Sequence, residues 1–262
     1  MTSAYGRFIQ QVRLDQDVDD SRYPFSLPAV RQLARSGALT LPRGVTFLVG
    51  ENGAGKSTLI ESIAVAAGFN PEGGSRNFRF ATRATESELG EHLILTWGIR
   101  KPRTDFFLRA ESYYNVASEI ERLDGAGGRP LLPAYGGVSP HERSHGESFL
   151  DLVTHRFGPA GLYLLDEPEA ALSVQSRLAL LARMHDLVAQ GSQFLIATHS
   201  PILLALPGAT IMEISDEGGL EQVDFDQALP VRLTRQFLGA PDRFLRNLLG
   251  AEENDGTQGG WL

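Results

Sequence analysis

Cysteine is absent from the 262 residues, which excludes a disulfide framework and a thiolate metal site and suits a reducing compartment. Long apolar runs are also missing. Nothing approaches the roughly 20 apolar residues that cross a bilayer, and the opening MTSAYGRFIQQVRLDQDVDD has no apolar core of the kind a secretion signal needs. We therefore expect a cytoplasmic chain with no membrane insertion. Positive charge is in deficit, with 24 Lys and Arg against 32 Asp and Glu and a formal charge of −8. Such a field repels a nucleic-acid backbone or an anionic membrane unless basic residues gather locally. Lysine is scarcest: only Lys56 and Lys101 occur, and the remaining basic residues are arginine. What is present is 42% hydrophobic content, enough to bury a substantial core in a chain of this length.

Val45 to Val49 reads as a short buried strand, and Ser57 to Ala67 as a helix with Leu59, Ile60 and Ile63 on its apolar face and Gly68 as its stop. Leu162 to Leu165 reads as a second buried strand. A helical pattern through Leu178, Leu181, Met184 and Val188 ends at Gly191, and a third strand follows at Gln193 to Ala197. This alternation calls for an α/β fold, a mainly parallel sheet flanked by helices, whose ligands bind at the carboxyl ends of the strands. The middle, about 69–146, is expected to form an inserted α+β subdomain, with strands at His92 to Trp97 and Phe106 to Arg109 and a helix from Ala110 to Leu123. The Gly-, Pro- and Ser-rich stretch Gly125 to Gly146 reads as a connection into a helix from Glu147. We expect one domain over 1–249, with 250–262 a poorly ordered tail.

Gly50-Glu51-Asn52-Gly53-Ala54-Gly55-Lys56-Ser57 fits GxxxxGK[ST] between a buried strand and a helix start, the context the motif requires. Its glycines let successive backbone N–H groups turn inward onto phosphate oxygens, and the helix N-terminus adds partial positive charge. Lys56 then neutralises the β- and γ-phosphates, Ser57 ligates Mg²⁺, and Thr58 offers a hydroxyl to the α-phosphate.

The apolar strand Leu162-Tyr163-Leu164-Leu165 ends in Asp166-Glu167. Neighbouring side chains of a strand point opposite ways, so the two carboxylates take different roles. Asp166 suits the metal shell, and Glu167 is placed to orient or deprotonate a water attacking the γ-phosphate. His199, in Ala197-Thr198-His199-Ser200-Pro201, follows the third strand and suits a contact to the γ-phosphate or the attacking water.

As an ordered set, the phosphate loop, LLDEPE and ATHSP resemble the ABC-type ATPase superfamily. The likeness is greatest to its stand-alone soluble branch, related to the DNA-repair and chromosome-maintenance ATPases, and runs from about Tyr23 to about Pro201. The resemblance implies a P-loop ATPase that hydrolyses MgATP. It also implies that Ser144-His145-Gly146-Glu147 is the signature segment, binding the γ-phosphate of a nucleotide held mainly by another subunit. An ATP-dependent, nucleotide-sandwiched homodimer follows. The family pattern is Leu-Ser-Gly-Gly-Gln, so Arg143, His145 and Glu147 are departures, and Ser144 with Glu147 also reads as a capping box. No glutamine lies between Ser57 and Gln175, so the family's Mg²⁺-contacting glutamine is missing, and Ser173 stands where many members have aspartate. Tyr23 is the nearest analogue of the family's adenine-stacking aromatic, with Phe25 as rival.

Transporter ATPase, nucleic-acid ATPase and regulatory switch remain open as roles, and a separate protein partner is compatible with each. Arg76, Arg79, Arg83, Arg100, Lys101, Arg103 and Arg109 outnumber Glu86, Glu88, Glu91 and Asp105 in one segment, a candidate nucleic-acid or nucleotide contact or a solvated face.

Overall fold

The computed structural model describes residues 7–15, 18–76, 88–124, 145–215 and 219–249, with isolated positions 133, 137 and 142. Its strands are β1 (Ile9–Leu14), β2 (Leu39–Thr40), β3 (Val45–Gly50), β4 (Leu93–Trp97), β5 (Thr104–Arg109), β6 (Gly161–Asp166), β7 (Gln193–Ala197), β8 (Thr210–Ile214) and β9 (Leu220–Val223). The helices are α1 (Pro28–Ser36), α2 (Lys56–Ala66), α3 (Glu88–Glu91), α4 (Tyr113–Asp124), α5 (His145–Arg156), α6 (Val174–Ala189), α7 (Pro201–Leu204), α8 (Leu229–Gly239) and α9 (Pro241–Leu249).

The central sheet has the order β5-β6-β7-β3-β8-β9. Neighbours from β5 to β8 run parallel, and β9 closes the edge antiparallel. Strands β3, β6 and β7 are buried at every position, because helices cover both faces and leave no side for polar residues. One face packs Phe47, Phe106, Phe149, Phe157, Tyr163 and Phe194 into one core; the other packs Leu48, Leu59, Ile60, Ile63, Phe107 and Leu164. A second, antiparallel sheet, β2-β1-β4, lies alongside. The buried Gln193 amide ties the two together. Its Oε1 accepts from Phe8 and Ile9 N–H at 2.8 and 3.0 Å, and its Nε2 donates to Ile9 and Pro42 carbonyls at 2.9 and 3.1 Å.

Of the span expected to form an insertion, the described strands pair with strands outside it. Strand β4 pairs with β1, and β5 pairs with β6 as the edge of the central sheet. Helix α4 buries Tyr113, Val116 and Ile120 in the same core as Phe106 and Phe149, while Tyr114 is exposed. Helix α5 begins at His145, two residues before the expected start. Residues 250–262 lie outside the described residues. Among the described residues no helix is long and apolar enough to cross a membrane.

Candidate functional site

The Gly50 to Ser57 loop joins β3 to α2, and its shape explains its glycines. Gly50, Gly53 and Gly55 have φ of 152°, 85° and 92°, a region that side chains with a Cβ rarely adopt. A Cβ on Gly50 would lie 2.8 Å from the Ile214 carbonyl oxygen, and one on Gly55 3.1 Å from Leu27 Cβ. Glu51, Asn52 and Gly53 are exposed, whereas Ala54, Gly55 and Lys56 are buried. Lys56 Nζ donates to the Gly50 and Glu51 carbonyls at 2.9 and 2.8 Å, which folds the ammonium back over the loop. Burial lowers the Lys56 pKa, opposed by the charges of Glu167, Asp166 and Glu169.

Parallel register brings the next groups to the same edge. Strand β6 lies between β5 and β7, with Asp166 opposite both Arg109 and Ala197, and Ala197 opposite Leu48 of β3. The Asp166 carboxyl is buried and hydrogen-bonded to Ser57, and burial pushes it up to about 6 despite that bond and the Arg109 guanidinium. Glu167 sits just past the strand at φ 49° and ψ 51°, an uncommon conformation for glutamate, held by its N–H donating to the Ala197 carbonyl at 2.9 Å. His199 Nε2 lies 3.7 Å from Glu167 Oε1. Burial and the Lys56 ammonium lower the imidazole pKa, opposed by the Glu167 and Glu169 carboxylates.

Two residues join the site that its contiguous motifs do not single out. Glu169, in the 3-10 turn Pro168–Ala171, accepts from His199 N–H through Oε1 at 2.6 Å, fixing the loop that carries the histidine. Arg109 ends β5 and pairs with Glu61 of α2 at 2.9 Å and with Asp166 at 3.5 Å. A charged residue ending an apolar strand was the available signal, since Asp166 is recognised in the same way. Arg109 Nε, Asp166 Oδ1, Glu169 Oε2, His199 Nε2 and Ser200 Oγ are all buried without a hydrogen-bond partner. Buried polar atoms in native folds are nearly always paired, so five orphans at the ends of three adjacent strands mark a seat for a polar, charged ligand.

Other expected residues divide. Tyr23 is 71% exposed and open to stacking, whereas Phe25 is buried with its ring edge-on to His92, which removes it as a rival. Thr58 lies in the first turn of α2 beside Ser57. Gly146 and Glu147 are in the first turn of α5, with Gly146 packed so closely that a Cβ would lie 3.0 Å from the Ala171 carbonyl oxygen. Ser144 and the side chain of His145 lie outside the described residues. The basic segment is partly neutralised internally: Arg76 pairs with Asp105 at 2.7 Å and packs over Phe69 and Trp97, and Arg109 is turned inward. Arg79 and Arg83 lie outside the described residues.

A glycine-rich loop feeding a helix, in a parallel sheet where the strand next but one ends in carboxylates, defines a P-loop nucleotide-binding ATPase fold. Comparison with known proteins agrees. Residues 27–122 match the AAA domain family, and residues 133–205 match a family described as AAA domain, putative AbiEii toxin, Type IV TA system. The cytochrome c biogenesis ATP-binding export protein CcmA of Salmonella typhi is 30% identical over 196 residues, covering 69% of this chain and 91% of that protein. A putative ABC transporter ATP-binding protein of Streptomyces avermitilis is 30% identical over 67% of this chain. The match spans 32% of that protein, and only 24% of the ABC transporter G family member STR2 of Medicago truncatula. Among solved structures, cbiO1 of Clostridium perfringens aligns with a TM-score of 0.48 at 15% identity, covering 93% of this chain and 99% of that one. The SMC head domain from Thermotoga maritima aligns with a TM-score of 0.42 at 14% identity, covering 82% and 98%. The chain belongs to the ABC-type ATPase superfamily, whose members bind ATP, generally with Mg²⁺.

Proposed function

We propose that this chain hydrolyses MgATP to ADP and phosphate in an ATP-dependent homodimer and couples that step to a conformational switch. The observation that carries the reading is the convergence of Lys56, Asp166, Glu167 and His199 on one edge of the sheet, among buried polar atoms without partners. The loop N–H groups and Lys56 bind the β- and γ-phosphates, and Tyr23 offers its exposed ring to the adenine. Ser57 and Asp166 suit Mg²⁺, which keeps several waters and takes few protein oxygens; Asp166 Oδ1 is buried and unpartnered, as a carboxylate reserved for a metal-bound water would be. Held there by Ser57 and Asp166, the ion would supply positive charge to offset the negative charge that develops on the phosphates.

Glu167, freed from the strand by its left-handed conformation, orients a water toward the γ-phosphate and draws off its proton. His199, its backbone anchored on Glu169, makes one hydrogen bond at the same place and so distinguishes a γ-phosphate from its absence. The Ser144 to Glu147 segment, leading into α5, completes the site of the opposite subunit through its N–H groups. The decisive measurement is ATP turnover together with molecular mass for the wild type and Glu167→Gln. We expect the substitution to abolish turnover while retaining ATP and trapping a dimer. A wild type that binds ATP yet stays monomeric and inactive refutes the mechanism.

A second reading, an ATP-binding subunit of a membrane transporter, is favoured by the relatives named as export and transporter proteins. It requires a membrane partner, and turnover that rises only when such a partner is present would select it.

A further inference from the structure

Resting on the nucleotide-site reading above, we propose that Arg109 is a resident counter-cation of the phosphate site, sharing Asp166 with the incoming metal, so that nucleotide binding depends less on Mg²⁺ than a site without that charge would require.

Arg109 ends β5, the strand beside β6, and its register partner is Asp166. Its backbone continues directly into the same junction, where Ala110 N–H donates to the Asp166 carbonyl at 3.2 Å. The guanidinium is three-quarters buried and reaches three carboxylates: Glu61 at 2.9 Å, Asp166 at 3.5 Å and Glu111 at 3.6 Å. Glu61 lies one helical turn beyond Ser57 on α2, and Ser57 is hydrogen-bonded to Asp166. One fixed charge therefore sits across the junction of β5, β6 and α2, against Asp166 and one helical turn from Ser57. Its Nε has no hydrogen-bond partner although it faces Asp166 Oδ2, so the contact is electrostatic rather than a closed hydrogen-bonded fork.

The surrounding charge explains why a cation belongs here. Asp166, Glu167, Glu169, Glu61 and Glu111 face the site or its support, against Lys56 and Arg109. Without Arg109 a polyphosphate would approach a strongly negative edge with one ammonium to receive it. A guanidinium stays protonated at every relevant pH, so the charge is permanent. The sequence also has no glutamine between Ser57 and Gln175 to present a neutral amide to the metal.

The charge has a definite sign in a binding experiment. Removing a cation weakens binding of free nucleotide and strengthens binding of Mg²⁺, whereas loss of structure weakens both. We would titrate ADP into the full chain in excess EDTA, then titrate Mg²⁺ in the presence of ADP, for the wild type, Arg109→Gln, Arg109→Lys and Glu61→Gln. With one unit of partly screened charge removed, Arg109→Gln should bind ADP on the order of tenfold more weakly in EDTA and half-saturate at a lower Mg²⁺ concentration. Arg109→Lys should stay close to the wild type. Glu61→Gln, which keeps the side chain's shape and leaves Arg109 less neutralised, should shift both quantities the opposite way and carries the test alone if Arg109→Gln fails to fold. Unchanged constants in both neutralising variants overturn the proposal, as does parallel weakening of ADP and Mg²⁺ binding. A wild type that binds no ADP in either condition overturns the nucleotide-site reading itself.

Discussion

Replacing Asp166 by asparagine should stabilise the metal-free protein while removing its use for the metal. The carboxyl is buried, and burial outweighs the Ser57 hydrogen bond and the Arg109 charge, lifting its pKa from the ordinary 3.8 to about 6. A carboxyl raised in the folded state opposes folding whenever it is ionised. The cost is present in full above about 6, shrinks as pH falls through that value, and vanishes below the unfolded value. At roughly 1.4 kcal/mol per unit, a shift of about two units corresponds to at most about 3 kcal/mol near neutral pH. Asparagine keeps the shape and a hydrogen-bonding oxygen and carries no charge to desolvate. Urea unfolding followed by circular dichroism, in EDTA and without nucleotide, should show Asp166→Asn more stable than the wild type by about 1–3 kcal/mol near neutral pH. The gap should shrink as pH falls below about 6 and close only below the unfolded value of 3.8, where the wild-type carboxyl is protonated in both states. Equal stabilities near neutral pH, or a gap that widens on acidification, refute the account. The site would then hold its carboxylate without strain.

Gly50→Ala should lose about 2–4 kcal/mol of stability, because its Cβ would meet the Ile214 carbonyl oxygen at 2.8 Å from a φ of 152°; the urea midpoint measures it. Glu169→Ala strips the His199 N–H of its acceptor, should cost about 1–3 kcal/mol, and should slow turnover more than Glu169→Gln, which keeps an acceptor oxygen. Gln193→Leu leaves two backbone N–H groups and two carbonyls unpaired between the sheets, so it should cost at least about 3 kcal/mol and expose the β1 amides first in hydrogen exchange.

What the sequence disclosed of the fold was local in origin. The phosphate loop is one contiguous segment bounded by a buried strand and a helix, and its glycines report backbone angles that few other residues adopt. Strands β6 and β7 are uninterrupted apolar runs because both faces are covered, so they were equally plain. The segment 69–146 was harder. Strands β4 and β5 were recognisable as strands, yet their partners, β1 and β6, lie more than fifty residues away. Composition carries no record of such pairing, so the sheets these strands join are not legible from the chain alone. The basic segment was hard to read for a related reason: the pairing of Arg76 with Asp105 and of Arg109 with Glu61 is tertiary, and a count along the chain does not record it.

The site follows the same division. Strands β5, β6 and β7 deliver their last residues to a common edge, and register levels those ends, Arg109 beside Asp166 and Asp166 beside Ala197, while β3 runs two residues past Leu48, the partner of Ala197, to Gly50. A motif on one strand announces itself, as Asp166 and Glu167 do. A residue that matters because of the neighbouring strand does not, since Arg109 acquires its meaning only when β5 is known to lie against β6. Glu169 is intermediate; it stands in a recognisable acidic run, but its bond to His199 depends on β6 and β7 being adjacent. A buried charged residue that closes an apolar strand is therefore the pattern to seek in such sheets, because the strand has no reason to end in charge unless the edge it reaches has a use for it.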